Sequence, residues 1–308
     1  MIATGSFFFV NLPALVASIP SPSSNSFDVG PLTFRYYGLT IALGVLAAVE
    51  IGRVRWIARG GDGDDIIEIA KWAVPAGLIG SRLYHVATDW RRYQGRWLDA
   101  FKIWEGGLGI PGGLLIGVAV GVWVARSHGW NVTALADAII PGIPVAQAIG
   151  RLGNWFNQEI YGRPSDLPWA VEIDNPSSEF AGFTTFHPTF LYEALLNLLI
   201  AGSLIFADRK KWLKPGAILP LWITMYGIAR FIVEGMRTDP ASEIAGVRVN
   251  HWVSGAAVII GGLWFLAVQR RSGADEVAPG VVSSQESSDS GIDGDADPID
   301  IDGDEAAV

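Results

Sequence analysis

Seven predominantly apolar stretches, each close to the length of a membrane-spanning helix, constrain this chain more than any other feature of its sequence. A helix needs about 20 apolar residues to cross a bilayer, and irregular backbone exposed to lipid would leave its polar groups without partners. The sequence therefore predicts an all-α polytopic membrane protein with about seven transmembrane helices. The predicted spans are 36–52, 66–86, 106–124, 134–150, 188–207, 217–233 and 251–268.

The composition agrees with a membrane protein and excludes several kinds of chemistry. Half of the 308 residues are hydrophobic and 17% are charged, which is too apolar for an ordinary soluble domain of this size. The chain has no cysteine, so disulfides, thiolate metal sites and a cysteine nucleophile are excluded. The motifs of zinc hydrolases, serine acyltransferases and nucleotide-binding loops are also missing from the sequence. We therefore expect no metal, no cofactor and no nucleic-acid partner.

Clusters of basic residues predict the orientation of the spans. They follow the first, third, fifth and seventh stretches, so the positive-inside rule places those ends in the cytoplasm. Residues 1–35 are then an extracytoplasmic segment, and their apolar run 7–19 is too short to span. Residues 36–271 form the membrane domain, in which the polar and aromatic insertion at about 154–186 is expected to be a small outer head with short strands.

Two segments depart from this pattern of charge. A basic segment with Arg91, Arg92, Arg96 and Lys102 falls on the predicted outer side, and we interpret it as an amphipathic arm that rests on phospholipid headgroups. The C-terminal residues 272–308 contain 11 of the 31 acidic residues and no Lys or Arg. This tail is too polar to bury a core, so we predict a disordered cytoplasmic segment.

Ionisable groups in apolar stretches are costly, so each is a candidate for function. The motif GRLGNWFNQE contains Arg151, Asn154, Asn157 and Glu159 at the end of the fourth stretch. On a helix, Arg151 and Asn154 share one face. An arginine suits a phosphate group, because its guanidinium stays charged and offers a planar fork to two oxygens. The alternative for Arg151 by itself is an interfacial arginine that reaches toward headgroups.

A second motif, YGIARFIVEGMR, repeats polar residues at helical spacing within the sixth stretch: Tyr226, Arg230, Glu234 and Arg237. Arg230 and Glu234 form an i, i+4 pair, so an internal ion pair is one interpretation of Glu234. For Arg230 we favour ligand binding, because one carboxylate cannot saturate five donors.

Two further motifs have alternative interpretations. HPTFLYE places His187 just before a span and Glu193 within it, and His187 is either catalytic or a helix cap, with the cap favoured by its spacing. The glycine-rich run WEGGLGIPGGLLIG allows close approach of the backbone, either to another helix or to a lipid.

These motifs, in this order, resemble those of the prolipoprotein diacylglyceryl transferases. The resemblance extends from about Ile19 to Trp252 and comprises IPSP, RYYGL, GSRLYH, WEGGLG, GRLGNWFNQEIYG, HPTFLYE and YGIARFIVEGMR. It implies seven spans in the cell inner membrane, with the N-terminus and a head outside. It also implies phosphatidylglycerol as donor, the lipobox cysteine of a prolipoprotein as acceptor, glycerol 1-phosphate as leaving group and a thioether product.

The resemblance further implies which residues act. Arg151 and Arg230 match the two essential arginines of the family, and we expect both to grip the lipid phosphate. For activation of the thiol, Glu159, Glu234 and His187 are candidates without a firm order. The other residues implied in binding of phosphatidylglycerol are Tyr37, Asn154, Asn157, Gly162 and Tyr226.

One position departs from the family pattern. A histidine that precedes the Gly-Gly pair of the third span has been proposed as the catalytic base, and Pro111 takes that place here.

The competing hypothesis for the whole chain is a membrane transporter or lipid-binding protein whose arginines hold an anionic substrate.

Overall fold

The computed structural model describes residues 18–103 and 106–271, which are mostly helical. Each of the seven predicted apolar stretches is helical over most of its length, so the described chain is mostly helical, as predicted, and is consistent with a polytopic membrane protein. The helices of the described chain are α1 (Tyr36–Ile57), α2 (Gly63–Thr88), α3 (Ile110–Ser127), α4 (Val132–Ile139), α5 (Gly142–Phe156), α6 (Thr189–Arg209), α7 (Ile218–Glu234) and α8 (Val249–Gln269).

Five segments of the described chain are long and apolar enough to cross a membrane: Tyr36–Ile57, Ile110–Ser127, Val132–Phe156, Thr189–Arg209 and Val249–Gln269. The two other predicted spans differ from these in composition or length. Helix α2 has 26 residues but carries Lys71 and Arg82, and α7 has 17 residues.

Two helix boundaries differ from the prediction for local reasons. The fourth stretch is divided into α4 and α5 around Pro141, because a proline lacks the amide hydrogen that a continuous helix needs. Helix α3 begins at Ile110 rather than at Gly106. Gly106 and Gly107 have φ angles of 90° and 77°, which are left-handed, and Pro111 occupies the first turn, where proline is tolerated.

Helices α2 and α3 form an antiparallel hairpin with closely approaching backbones. A Cβ atom on Gly80 would lie 2.6 Å from the carbonyl oxygen of Gly112, and one on Gly77 would lie 3.2 Å from that of Gly113. The glycine-rich run therefore serves helix packing, as in similar small-residue contacts within membranes. The hairpin joins α1 and α4 through a buried cluster that includes Trp56, Ile66 and Leu135.

The remaining long helices pack side by side in the order α1, α5, α6, α7 and α8. Neighbours run antiparallel: Gly44 of α1 meets Ala146, and Gly153 near the end of α5 meets Tyr37 at the start of α1. We call the end of the bundle that contains Tyr37 the upper end. The start of α6 and the last turn of α7 lie at the same end, which therefore collects the motifs singled out in the sequence.

Short antiparallel hairpins cover the upper end. Strands β3 (Val171–Glu172) and β4 (Thr185–Phe186) pair within the insertion before α6, and β3 falls in the run WAVEI for which short strands were predicted. Val171 and Phe186 pack with Ile173 and Phe190 in a small core of their own. The other two hairpins join β1 (Ser26–Val29) to β2 (Leu32–Arg35), and β5 (Glu243–Ile244) to β6 (Val247–Arg248).

The predicted basic arm between α2 and α3 contains two 3₁₀ turns, Trp90–Tyr93 and Trp97–Phe101. Most of the predicted N-terminal apolar run and the whole acidic tail, 272–308, lie outside the described residues, as do Trp104 and Glu105.

Candidate active site

Two arginines from separate helices meet on one buried carboxylate at the upper end. Arg151 belongs to α5, Arg230 to α7, and Glu193 to α6, which contacts both of those helices. Nη2 of Arg151 donates to one carboxylate oxygen of Glu193, and Nη1 of Arg230 lies 3.4 Å from the other. Glu193 is 2% exposed, so its charge is held between the guanidinium groups and away from water. The expected convergence of the two arginines is therefore present in the fold.

Glu193 was noted in the sequence but not predicted as a site residue. The available signal was an acidic residue inside the otherwise apolar segment TFLYEALLNLLI, where a carboxylate requires a partner. The sequence could not identify that partner, because Arg151 and Arg230 are 42 and 37 residues away along the chain.

Asn154 connects Arg151 to Glu159. Nη1 of Arg151 donates to Oδ1 of Asn154 at 3.1 Å, which confirms that these two residues share a helix face. Nδ2 of Asn154 donates in turn to Oε1 of Glu159 at 2.9 Å, and Nδ2 of Asn157 donates to the same oxygen at 3.0 Å. Asn154 is buried and Glu159 is exposed. Within residues 18–103 and 106–271, Glu159 forms no ion pair.

Glu234 is shared by two arginines. Its Oε2 lies 2.8 Å from Nη2 of Arg230, which confirms the predicted i, i+4 pair. Its Oε1 lies 2.6 Å from Nε of Arg248 and accepts from Nδ2 of Asn250 at 3.3 Å. Glu234 is 0% exposed, so its carboxylate lies next to Arg230 in the interior of the fold.

The ion pairs continue beyond Arg248 to the loop after α7. Nη2 of Arg248 lies 3.4 Å from Asp239, and Asp239 also accepts from Nε and Nη2 of Arg237 at 2.7 and 2.8 Å. Partial burial opposes the charged form of Asp239, but its hydrogen bonds to Arg237 and the charges of both arginines prevail and hold its pKa below the ordinary value. The whole chain of alternating charge is Arg151, Glu193, Arg230, Glu234, Arg248, Asp239 and Arg237.

Two tyrosines lie beside this chain of charges. Tyr226 is one turn before Arg230 and lies within electrostatic range of Glu193 and Arg151. Tyr37 packs against α5 at Gly153, where a Cβ atom would overlap its ring and lie 2.8 Å from the hydroxyl of Thr40. Both predicted tyrosines are therefore close to the arginine cluster, and Gly153 makes room for the ring of Tyr37.

Gly162 and His187 form a second small unit above α6. The amide of Gly162 donates to the carbonyl oxygen of His187 at 2.9 Å, and a Cβ on Gly162 would lie 3.0 Å from the carbonyl oxygen of Met236. The favoured interpretation of His187 as a helix cap is wrong, because Pro188 is the N-cap residue and α6 has no side-chain cap. Nδ1 of His187 instead lies 3.1 Å from the hydroxyl of Tyr192.

Comparison with known proteins shows that this chain is similar to several proteins of one family. A model of the prolipoprotein diacylglyceryl transferase family matches residues 24–268. Phosphatidylglycerol–prolipoprotein diacylglyceryl transferase 1 of Streptomyces coelicolor is 47% identical over 287 residues, which are 91% of this chain and 83% of that protein. The transferase of Streptomyces griseus is 47% identical over 85% of this chain and 81% of its own length. That of Bifidobacterium adolescentis is 41% identical over 85% and 83%, respectively.

Proposed function

The chain belongs to the prolipoprotein diacylglyceryl transferase family, and from this premise we propose that Arg151 and Arg230 bind the phosphate of phosphatidylglycerol during the reaction. The protein is a membrane enzyme that transfers the diacylglyceryl group of phosphatidylglycerol to a prolipoprotein. The observation that supports the assignment of the two arginines is their meeting on Glu193.

The covalent step requires positive charge at the phosphate. The sulfur of the lipobox cysteine attacks the glyceryl carbon that bears the phosphate ester, so that a C–S bond forms and the C–O bond breaks. The electron pair of the C–O bond leaves with glycerol 1-phosphate, and the thiol proton passes to a base. Donors that are already oriented toward the leaving oxygen stabilise the charge that develops there.

The arginines have the capacity for this role. Each guanidinium has five N–H donors, and the carboxylates of Glu193 and Glu234 together with the amide of Asn154 cannot saturate both groups. The side chains of Arg151 and Arg230 are 21% and 14% exposed, whereas that of Glu193 is 3% exposed. We therefore place the phosphate on the open side of the two guanidinium groups, opposite Glu193.

Among the three candidate bases, the geometry favours Glu159. Glu234 is enclosed by two arginines, and opposite charges make a carboxylate a poor proton acceptor. His187 contacts Tyr192 and makes no direct contact with the arginine cluster in the described part of the chain. Glu159 is exposed, forms no ion pair with the described residues, and is joined to Arg151 through Asn154. We therefore assign the thiol proton to Glu159.

We also propose seven spans, with the N-terminus and the insertion at 154–186 outside and the C-terminus in the cytoplasm. Helix α2 has 26 residues, which corresponds to about 39 Å and is enough to cross a bilayer. Helix α7 is shorter but packs between α6 and α8, two helices that are long and apolar enough to span. Because the chain lacks cysteine, single cysteines at Glu179 and Lys210 can be labelled from either side of the membrane. Labelling of both positions from the same side would refute this topology.

The assignment of the arginines is tested by Arg151→Ala and Arg230→Ala in membranes that contain labelled phosphatidylglycerol and a lipobox peptide. We expect each variant to lose on the order of 10²–10³-fold in turnover, as for other oriented donors. The exposed Arg209→Ala at the opposite end of α6 is the matched control and should keep normal activity. Normal transfer by either site variant would refute the assignment.

The role of Glu159 has a separate test. In Glu159→Gln the rise of turnover with pH should shift toward the pKa of the free thiol, near ~8.5, because hydroxide must then remove the proton. An unchanged pH profile would exclude Glu159 as the base. Mass spectrometry of the peptide separates transfer from the competing class of transporter or lipid-binding protein, since only transfer adds the mass of a diacylglyceryl group.

A further inference from the structure

A second group of cations lies at the upper end, on the hairpin of α2 and α3. Arg82, His85, Arg92 and Arg96 line an open pocket of about 120 Å³, together with Tyr93, Asp99, Gly106 and Gly107. We call it the arm pocket, because most of its wall comes from the end of α2 and the basic arm. None of these residues contacts Arg151, Glu193 or Arg230 in the described part of the chain.

Arg82 lines the arm pocket, and its guanidinium is hydrogen-bonded to backbone carbonyl oxygens. It is buried, and its guanidinium donates to the carbonyl oxygens of Ala100, Asp99, Lys102, Gly106 and Gly107 at 2.6 to 3.2 Å. These bonds fold the arm over the end of α2. A side chain at Gly107 would be excluded, because its Cβ would lie 2.5 Å from Nε2 of His85 and 2.8 Å from Nη1 of Arg82.

The other polar groups of the arm pocket have few acceptors, although Nε of Arg96 donates to the carbonyl oxygen of Arg92 at 3.3 Å. Nε2 of His85 is buried and has no hydrogen-bond partner within the described residues. Arg92 forms no ion pair there, and Arg96 lies 3.7 Å from Asp99, a carboxylate that Lys102 already holds at 2.7 Å. Among the described residues that line the pocket, three arginines face one acid, so these residues carry an excess of positive charge. A buried donor without an acceptor is costly, and an anion in the pocket would supply the missing acceptor.

The surroundings of the arm pocket indicate the source of that anion. Trp90, Trp97, Leu98 and Phe101 are exposed on the two 3₁₀ turns beside the pocket. Aromatic residues concentrate at the membrane interface, where the ring enters the acyl region and the polar neighbours reach the headgroups. The arm therefore combines aromatic side chains suited to the acyl region with basic side chains suited to the depth of the lipid phosphates.

We propose that the arm pocket binds the phosphate group of an anionic phospholipid, as a site additional to Arg151 and Arg230. The hairpin contacts the rest of the fold through the cluster around Trp56 and Ile66, which is at the opposite end of the bundle from the arm. A lipid held there lies at the same end of the bundle as the arginine cluster, which would keep an anionic lipid at the membrane depth of the reaction site.

The test uses the full chain in nanodiscs of phosphatidylcholine, with phosphatidylglycerol that carries a photoreactive group close to its headgroup. In the unmodified protein, cross-links should map to 82–103. Arg92→Ala should weaken the apparent affinity of this cross-link at least about tenfold, as expected for loss of a charged hydrogen bond to phosphate. Its neighbour Arg91 is the matched control, because Arg91 lies over the ring of Trp90 and does not line the pocket. Arg91→Ala should change the affinity by less than about twofold if the pocket, and not general surface charge, binds the lipid.

Further arms separate the possible sources of binding. His85→Phe keeps a ring but removes the donor, and it should also weaken the cross-link. Arg151→Ala should leave the cross-link at 82–103 intact, so that failure of the reaction site and failure of the arm pocket are distinguishable. Equal losses in Arg91→Ala and Arg92→Ala would overturn the proposal. Equal competition by inorganic phosphate and by unlabelled phosphatidylglycerol would identify a site for free anions instead of a lipid site.

Discussion

Replacement of Glu193 by glutamine tests whether one carboxylate holds the two arginines of the proposed reaction site in place. The change removes the negative charge between Arg151 and Arg230 but keeps a side chain of nearly the same shape. In the native protein, this carboxylate reaches both guanidinium groups and is almost fully buried. The amide of glutamine has one acceptor oxygen, so it can accept from only one arginine well.

The magnitudes follow from burial and charge. Removal of one member of a buried ion pair costs about 3–5 kcal/mol, and we expect about 3 kcal/mol here because the amide oxygen remains. The loss of orientation of the two guanidinium groups should lower kcat on the order of 10²-fold, as for a misplacement of about 1 Å.

The KM for phosphatidylglycerol should fall. Two like charges ~5 Å apart repel by roughly 3 kcal/mol at an effective dielectric constant of about 20. Because the arginines screen part of this repulsion between Glu193 and the phosphate, we expect about a tenfold decrease in KM.

The assay is steady-state transfer to a lipobox peptide at varied phosphatidylglycerol, together with thermal inactivation of the same preparations. Glu50→Gln is the matched control, since Glu50 forms an exposed i, i+3 pair with Arg53 at the opposite end of the bundle. That control should change little, because exposed pairs contribute about 0–1 kcal/mol. A Glu193→Gln variant with unchanged kcat and a raised KM would show that Glu193 does not position the arginines.

Three further predictions concern the surroundings of the site. Arg248→Gln removes one of the two arginines that pair with the buried carboxylate of Glu234. We expect kcat to fall at least about tenfold and thermal inactivation to become faster. Unchanged values of both would contradict this prediction. The lowered pKa of Asp239 contributes stability that is present above the ordinary carboxyl pKa of about 3.9 and is lost as the pH falls below it. The difference in stability between the native protein and Asp239→Asn should therefore be largest at pH 7 and shrink below about pH 4. A difference in stability that is independent of pH would exclude the charge of Asp239 as its cause. Gly80→Ala should destabilise the α2–α3 hairpin by about 1–3 kcal/mol, while Gly255→Ala, which meets open space on α8, should be neutral or stabilising, and thermal inactivation of the two variants checks the difference.

The helices could be predicted from the sequence because the bilayer imposes a local requirement. Each span must satisfy its own backbone and present apolar side chains to lipid, so its signal lies within one continuous stretch. The same reasoning identified Arg151, Asn154 and Arg230, since polar groups in apolar surroundings stand out in the sequence. Local exceptions such as the division at Pro141 and the late start of α3 at Ile110 depend on single residues, and such details exceed the resolution of a hydropathy pattern.

By itself, the sequence determined the class of protein, the approximate positions of its helices and the candidates for phosphate binding. Only the tertiary structure decided how those residues are paired. Glu193 pairs with Arg151 from a neighbouring helix, and Glu234 is enclosed by Arg248 from strand β6. His187 contacts Tyr192 across the turn that precedes α6, which no periodic pattern describes. The physical reason is that an ion pair in the interior is set by the distance between helices in space, whereas a sequence pattern reports only the spacing within one helix.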